Sequence, residues 1–289
     1  MGITVLKTQD LNYIYGIKTP FEHTAIKNIN INIEKGELVG IIGHTGSGKS
    51  TLIQHFNALL KPTSGSIFVD DINIWQDKTS TRNARFSVGL CFQYPEYQLF
   101  EETVEKDVSF GPKNMGLDDD EIKRRVRESI RFVGLNESYL EKSPFDLSGG
   151  EKRRVAIAGV MAMEPKILVL DEPCAGLDPK GRDTILSLIS EYRKNTGSTV
   201  MIVSHSMEDV AKIATKVLVM NKGEEAMFGT VNEVYSRADE LVEMGLNIPE
   251  ITSVFLKLKA KGYDVRTDIY TVEEGRKELL RFLKGGSEK

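Results

Sequence analysis

An unbroken apolar run over residues 38–42 is followed at once by Gly43-His44-Thr45-Gly46-Ser47-Gly48-Lys49-Ser50, and then by the helix-compatible stretch 51–60. Strand, glycine loop and helix in that order restrict the chain to an α/β fold whose loop lies beyond a strand's C-terminal end. The spacing G-x-x-x-x-G-K-[ST] has a physical reading. Glycines let backbone N–H groups wrap phosphate oxygens, and a helix N-terminus favours their charge. Lys49 reaches the outer phosphates and Ser50 offers a hydroxyl to magnesium. Gly43, Thr45, Gly46, Ser47, Gly48 and Thr51 complete the candidate contacts, with His44 at a position the pattern leaves free.

Three more apolar runs, 167–170, 200–203 and 217–220, lack the alternation of a half-wet sheet. They predict strands buried on both faces, hence a mainly parallel sheet covered by helices. Asp171, Glu172 and His205 fall just after such runs, where ligands of parallel sheets bind. Ile29, Ile31 and Ile33 instead alternate with Asn28, Asn30 and Asn32, which predicts a strand of an antiparallel subdomain with one solvated face. About 120 residues separate the glycine loop from Asp171, more than one crossover needs. Within them Ile122, Val126, Ile130 and Val133 recur at helical spacing behind an acidic first turn, so an inserted helical subdomain is expected over about 94–153. Beyond Gly223 the pattern changes. Ile251, Val254, Phe255 and Leu258 form a stripe after Pro249, and 272–283 is a second amphipathic segment, giving a C-terminal helical extension over 226–289 that packs on the core or on a partner.

The candidate chemistry follows from position. A lone carboxylate at the end of a buried strand is costly, and Asp171 offsets that by orienting magnesium and its water. Glu172 beside it can polarise an attacking water as general base. Leu147-Ser148-Gly149-Gly150-Glu151 predicts a helix start, so hydroxyl, bare backbone and dipole are aimed at an anion.

Composition narrows the classes. With 289 residues there is material for one or two domains, and a net charge of −4 argues against the dense basic face that nucleic acid demands. Lys123-Arg124-Arg125 and Lys152-Arg153-Arg154 read as solvated helix faces. Cys91 and Cys174 lack metal-ligand spacing and read as reduced thiols. No apolar run approaches a bilayer span and the N-terminus lacks a signal-peptide layout, so any membrane role is that of a docked peripheral subunit on the cytoplasmic face.

In its order, the set of glycine loop, Ser-Gly-Gly helix start and Asp-Glu strand end resembles the nucleotide-binding subunits of ATP-binding-cassette (ABC) proteins over roughly the first four fifths of the chain. The resemblance implies a P-loop ATPase domain over 1–225 that uses ATP and magnesium. It also implies a head-to-tail dimer in which Ser148, Gly149 and Gly150 close the partner's ATP. By the same resemblance His205 contacts the γ-phosphate, Gln93 touches magnesium and water and reports nucleotide state to the helical insert, and Asp178 in Ala175-Gly176-Leu177-Asp178 couples the two sites. Tyr15 is the candidate for stacking on adenine, with Tyr13 as competitor. The fifth signature residue is usually Gln and here is Glu151, a departure that affects fine tuning only.

Tyr94-Pro95-Glu96-Tyr97-Gln98-Leu99-Phe100-Glu101-Glu102-Thr103-Val104, followed by Phe110-Gly111-Pro112-Lys113-Asn114, is similar to the matching stretch of energy-coupling factor ATPases, nearer the second of their two paired subunits. That branch implies a heterodimer with a paralogous ATPase, a transmembrane coupling protein, a membrane substrate-capture subunit, and uptake of vitamins or transition-metal ions. The extension would then be a dimerisation segment, and the segment 93–100, ending in Leu99-Phe100, a docking surface for the coupling protein. A conventional ABC importer or exporter ATPase is the competing reading. A DNA-maintenance ATPase would need a long coiled coil in the about fifty residues between Gln93 and Leu147, and a translation-type protein a second glycine loop.

Overall fold

A computed structural model describes residues 2–285; Met1 and the last four residues of the expected extension, 286–289, lie outside the described residues. The chain opens with β1 (Thr4–Tyr15), β2 (His23–Ile29) and β3 (Asn32–Glu34), the latter two antiparallel to β1. Ile29, Ile31 and Ile33 are buried and Asn28, Asn30 and Asn32 exposed, as the alternation predicts, but on two strands rather than one. Asn28 adopts the left-handed φ of 50° that asparagine tolerates, the pairing with β1 shifts register around it, and the strand breaks just beyond, at Asn30–Ile31. Buried Thr8 repairs the break. Its hydroxyl donates to Ile29 O at 2.8 Å and accepts from Ile31 N at 3.1 Å.

After β4 (Leu38–Ile42) come α1 (Lys49–Phe56), β5 (Ser64–Val69) and β6 (Ile72–Asn73). These close an antiparallel sheet of order β2-β1-β5-β6, with β3 also on β1. Next are α2 (Lys78–Ser87), β7 (Val88–Cys91) and the insert: α3 (Val104–Met115), α4 (Asp119–Phe132) and α5 (Gly149–Met161). The helix expected over 118–134 is α4, whose first turn is capped by Asp118 accepting from Glu121 N at 2.9 Å. The chain returns through β8 (Ile167–Asp171), α6 (Pro179–Thr196), β9 (Thr199–Val203), α7 (Met207–Ile213), β10 (Lys216–Asn221) and β11 (Glu224–Thr230). The second sheet has order β11-β10-β4-β9-β8-β7 and is parallel except for the β10–β11 hairpin.

Every residue of β4, β8 and β9 is buried. Alternation then feeds two cores from each strand. Leu38, Leu168, Leu170, Val200 and Ile202 pack with Val108, Val126, Val155 and Ile189 of the helical face. Val39, Ile41, Val169, Met201 and Val203 pack with Leu52 and Phe56 of α1 and with Leu6 and Ile26 of the antiparallel sheet.

The C-terminal segment forms α8 (Val231–Tyr235), α9 (Ala238–Glu243), α10 (Glu250–Ala260) and α11 (Val272–Gly285). Val234, Tyr235 and Leu241 join Val217 and Val219 of β10, whereas Phe255, Val265 and Ile269 make a small separate cluster. Tyr270, next in sequence to Ile269, packs in the first cluster: its hydroxyl donates to Asn232 Oδ1 at 2.7 Å and its ring meets Tyr235 edge-on at 5.4 Å. Of the expected α10 stripe, Phe255 is buried with Ile251 and Leu258 against it, while Val254 faces outward. That small cluster is too narrow to cover it.

Gly40 lets α7 lie close on β4, since a Cβ there would stand 2.3 Å from Val210 Cγ1. Gly40→Ala is therefore expected to lose about 1–3 kcal/mol of stability by overpacking. Adding Val210→Ala should recover part of the loss in urea denaturation; additive losses would refute the contact.

Candidate active site

The parallel strands end on one edge, and their loops converge there. A cavity of about 300 Å³ is lined by Tyr15, His23, Ala25, residues 45–51, Gln93, Asp171, Glu172, Val203 and His205. The glycine loop is held from behind. A Cβ on Gly48 (φ 100°) would lie 2.6 Å from Ala25 O, and Gly223 N donates to Ser47 O at 3.1 Å. Gly43 and His44 do not line the cavity; their carbonyls accept from Lys49 Nζ at 2.7 and 3.0 Å. The His44 ring instead reaches Asn221 Oδ1 at 3.2 Å, pinning the loop to the β10–β11 turn. His44, a candidate contact at a position the pattern leaves free, thus uses its side chain to tether the loop.

Burial sets the charges. Lys49 is 6 % exposed, and desolvation lowers its pKa against the pull of Glu172 and Asp171. Asp171 is raised by burial, opposed by the Ser50 hydroxyl bonded to it and by Lys49. Glu172 is pushed up to about 7, chiefly by burial, with the Asp171 charge adding and the His205 backbone N–H and Lys49 opposing. Glu172 also sits at φ 49°, held by its N–H on Val203 O at 3.0 Å. A non-glycine residue in that region is strained and persists only where its surroundings impose it. Its Oε1 is buried without a well-formed hydrogen bond, with His205 Nε2 3.3 Å away. Burial first, and Lys49 second, lower the His205 pKa, so its imidazole is neutral at neutral pH. Ser47 Oγ is a second buried polar atom with no partner.

Of the two tyrosines, Tyr15 lines the cavity, and Tyr13 braces it edge-on at 4.7 Å from behind. His23, Ala25 and Val203 were not foreseen. His23 is the cross-strand partner of Tyr15, and the return of the hairpin after Thr19-Pro20 was the available signal. The remaining candidates lie elsewhere. Ser148 caps α5 and forms a capping box with Glu151, accepting from Glu151 N while its own N–H and hydroxyl reach Glu151 Oε2 at 2.8 and 2.7 Å. The Ser148 and Tyr139 hydroxyls hold the Glu151 carboxyl at about 2. Asp178 caps α6 through Gly181 N at 2.7 Å, and Gly150 and Asp178 line a separate cleft with Arg153 and Lys180.

Residues 26–175 match the family model for the ABC transporter. The chain belongs to the ABC transporter family. This ABC protein is 54% identical over 283 residues to the energy-coupling factor transporter ATP-binding protein EcfA2 of Clostridium perfringens (strain 13 / Type A), covering 98% of this chain and 99% of that one. Its likeness to the protein of that name from Clostridium acetobutylicum is 55% over 280 residues, covering 96% and 98%. Among solved structures, cbiO1 from Clostridium perfringens, part of the ABC transporter complex cbiONQ, superposes with a TM-score of 0.74 at 41% identity over 90% of this chain and 97% of that one. The ATP-binding cassette MJ0796, solved as a post-hydrolysis dimer bound to ADP and Pi, gives 0.69 at 30% identity over 78% and 98%. The expected P-loop ATPase fold and the energy-coupling branch therefore hold over the conventional-transporter alternative, and the ABC protein is a nucleotide-binding ATPase.

Because the folded Glu172 carboxyl titrates at about 7 against 4.5 for its ordinary value, it lends stability that is complete below about pH 4.5 and lost as pH rises through 7. Without nucleotide, Glu172→Gln should therefore be more stable than wild type at pH 8 by up to about 3 kcal/mol, with the difference vanishing near pH 4. Urea denaturation at the two pH values checks this, and a difference independent of pH would contradict it.

Proposed function

We propose that this ABC ATPase powers a membrane importer of vitamins or transition-metal ions, hydrolysing ATP in sites completed by a second, paralogous ATPase subunit. The observation that carries the reading is the split of the machinery. Lys49, Asp171, Glu172, Gln93 and His205 share one cavity, while Ser148, Gly149 and Gly150 present a helix start away from it. A second cassette placed head to tail would bring such a helix start onto the γ-phosphate in each site.

The residues suit ATP with magnesium. Ser47 Oγ and Glu172 Oε1 are orphaned buried atoms at the cavity, and Ser50, Asp171 and Gln93 are the oxygen donors that would hold the ion. When bound, magnesium neutralises charge on the β- and γ-phosphates. Tyr15 stacks on adenine, with His23 beside it. Residues 45–51 bind the phosphates through backbone N–H groups, and Lys49 leaves its carbonyl partners for the β- and γ-oxygens. Glu172 takes the proton of the attacking water at Oε1, and neutral His205 supports water and γ-phosphate. Asp178 relays closure between the sites.

Docking belongs to the face beside Gln93. Leu99 is only 9 % exposed and joins the core, whereas Tyr97 is 84 % exposed and Phe100 56 %. Phe100, Phe110 and Leu99 border an apolar cleft that would take a cytoplasmic helix of a transmembrane coupling protein, which acts on a substrate-capture subunit. Among the described residues no helix is long and apolar enough to cross a membrane, so the chain would sit peripherally on the cytoplasmic face. Leu279 and Leu280 on α11 are exposed and would meet the paired subunit.

Glu172→Gln should bind MgATP and associate with the paired ATPase while turnover drops by about a hundred- to a thousandfold. Adding Ser148→Arg should abolish that association but not nucleotide binding by this chain. Sedimentation with fluorescent ATP reads both effects, and association that survives Ser148→Arg would remove the shared-site reading. Separately, Tyr97→Glu with Phe100→Glu should leave ATP binding intact but abolish co-purification of membrane proteins and uptake; normal assembly would place docking elsewhere.

A further inference from the structure

Arg153 is only 4 % exposed and ties two separate segments to its own helix, α5. Its Nε and Nη2 donate to Glu96 Oε2 and Oε1 at 3.1 and 2.8 Å, a bidentate fork on a carboxylate that is itself largely buried. Nη1 donates to Ala175 O at 2.6 Å and reaches Pro173 O at 3.5 Å, and the guanidinium lies 5.8 Å from the Tyr94 ring centre. Glu96 belongs to the short 3-10 turn Pro95–Gln98 just after Gln93. Pro173 and Ala175 follow Glu172, and Arg153 stands in α5 just beyond Ser148, Gly149 and Gly150.

We propose that Arg153 is a positioning residue that couples the Gln93 segment to the signature helix and to the backbone behind Glu172. A buried ion pair is seldom the most stable filling for its space, so stability alone does not account for this one. What it does is join elements that are remote along the chain: Glu96 and Arg153 are 57 residues apart, and the covalent path between them runs through α3 and α4. A shift of the turn is passed to α5 directly through the fork. Both held segments also begin at strained residues, Tyr94 at φ 55° and Glu172 at φ 49°. Such conformations persist where the surroundings impose them, and the Arg153 bonds clamp the chain within three residues of each. Lysine would keep the charge but not the fork, and so could not hold carboxylate and carbonyl together.

The inference rests on the proposed roles of Gln93 and Ser148, and the test separates the two. Glu96→Gln, Glu96→Asp, Arg153→Lys and the control Glu172→Gln are made in the full chain, purified as the membrane complex through a tag on it. Glu96→Gln and Arg153→Lys are expected to lower kcat for ATP hydrolysis about tenfold or more with KM for ATP within about threefold, and to lower uptake per ATP. Glu96→Asp should recover most of the lost kcat. A kcat within about twofold of wild type in Glu96→Gln overturns the proposal. So does a joint fall of kcat, ATP affinity and thermal midpoint that Glu96→Asp does not relieve, because that marks a merely structural role. If Arg153→Lys does not fold, Glu96→Gln and Glu96→Asp decide. Turnover surviving in Glu172→Gln would instead sink the reading of the site; an inactive Glu172→Gln beside fully active Glu96 and Arg153 variants sinks only the coupling.

Discussion

Desolvation of charge at one edge of the parallel sheet is the constraint on which the rest depends. Lys49, Asp171 and Glu172 share a cavity whose walls raise both carboxylates and lower the amine, while their mutual attraction opposes each shift. The result is a carboxyl poised near neutral pH next to a neutral imidazole, as a general base at a phosphate site requires. Five hydrogen-bonded parallel strands, β10-β4-β9-β8-β7, put those groups within reach of each other. Any slip of one strand would send its loop residue to another level.

That edge is rigid where phosphates would lie. The glycine loop is backed by Ala25, by the Gly223 N–H and by the His44–Asn221 contact, so two separate elements, β2 and the β10–β11 turn, fix its shape before any ligand arrives. Preorganised dipoles need no rearrangement when charge develops, and that is where such sites gain most. By contrast, the exposed ends of α5 and α6 are capped locally, by Ser148 with Glu151 and by Asp178, and have no counterpart in the chain's own cavity. Rigid halves facing different directions are the physical basis for reading the molecule as one part of a pair. Communication between those halves needs contacts shorter than the chain path, and the buried Arg153 fork is such a contact.

Much of this was legible in the sequence, because the deciding patterns are local. Continuous apolar runs predict the doubly covered strands β4, β8, β9 and β10, and the glycine loop, the Asp171-Glu172 pair and His205 follow those runs directly. The 3.6-residue period of Ile122, Val126 and Ile130 predicts α4. These elements are determined by residues a few positions apart, through steric preference, periodicity and capping. Tertiary structure decided what depends on register and on packing between distant segments. It split the Asn/Ile segment at Asn30–Ile31, buried Leu99 and turned Val254 outward, set His23 opposite Tyr15, drew the His44 side chain to Asn221 and joined Arg153 to Glu96. Each of these is a contact between groups remote in sequence, whose partner is selected by how whole elements pack, and no local period encodes that choice.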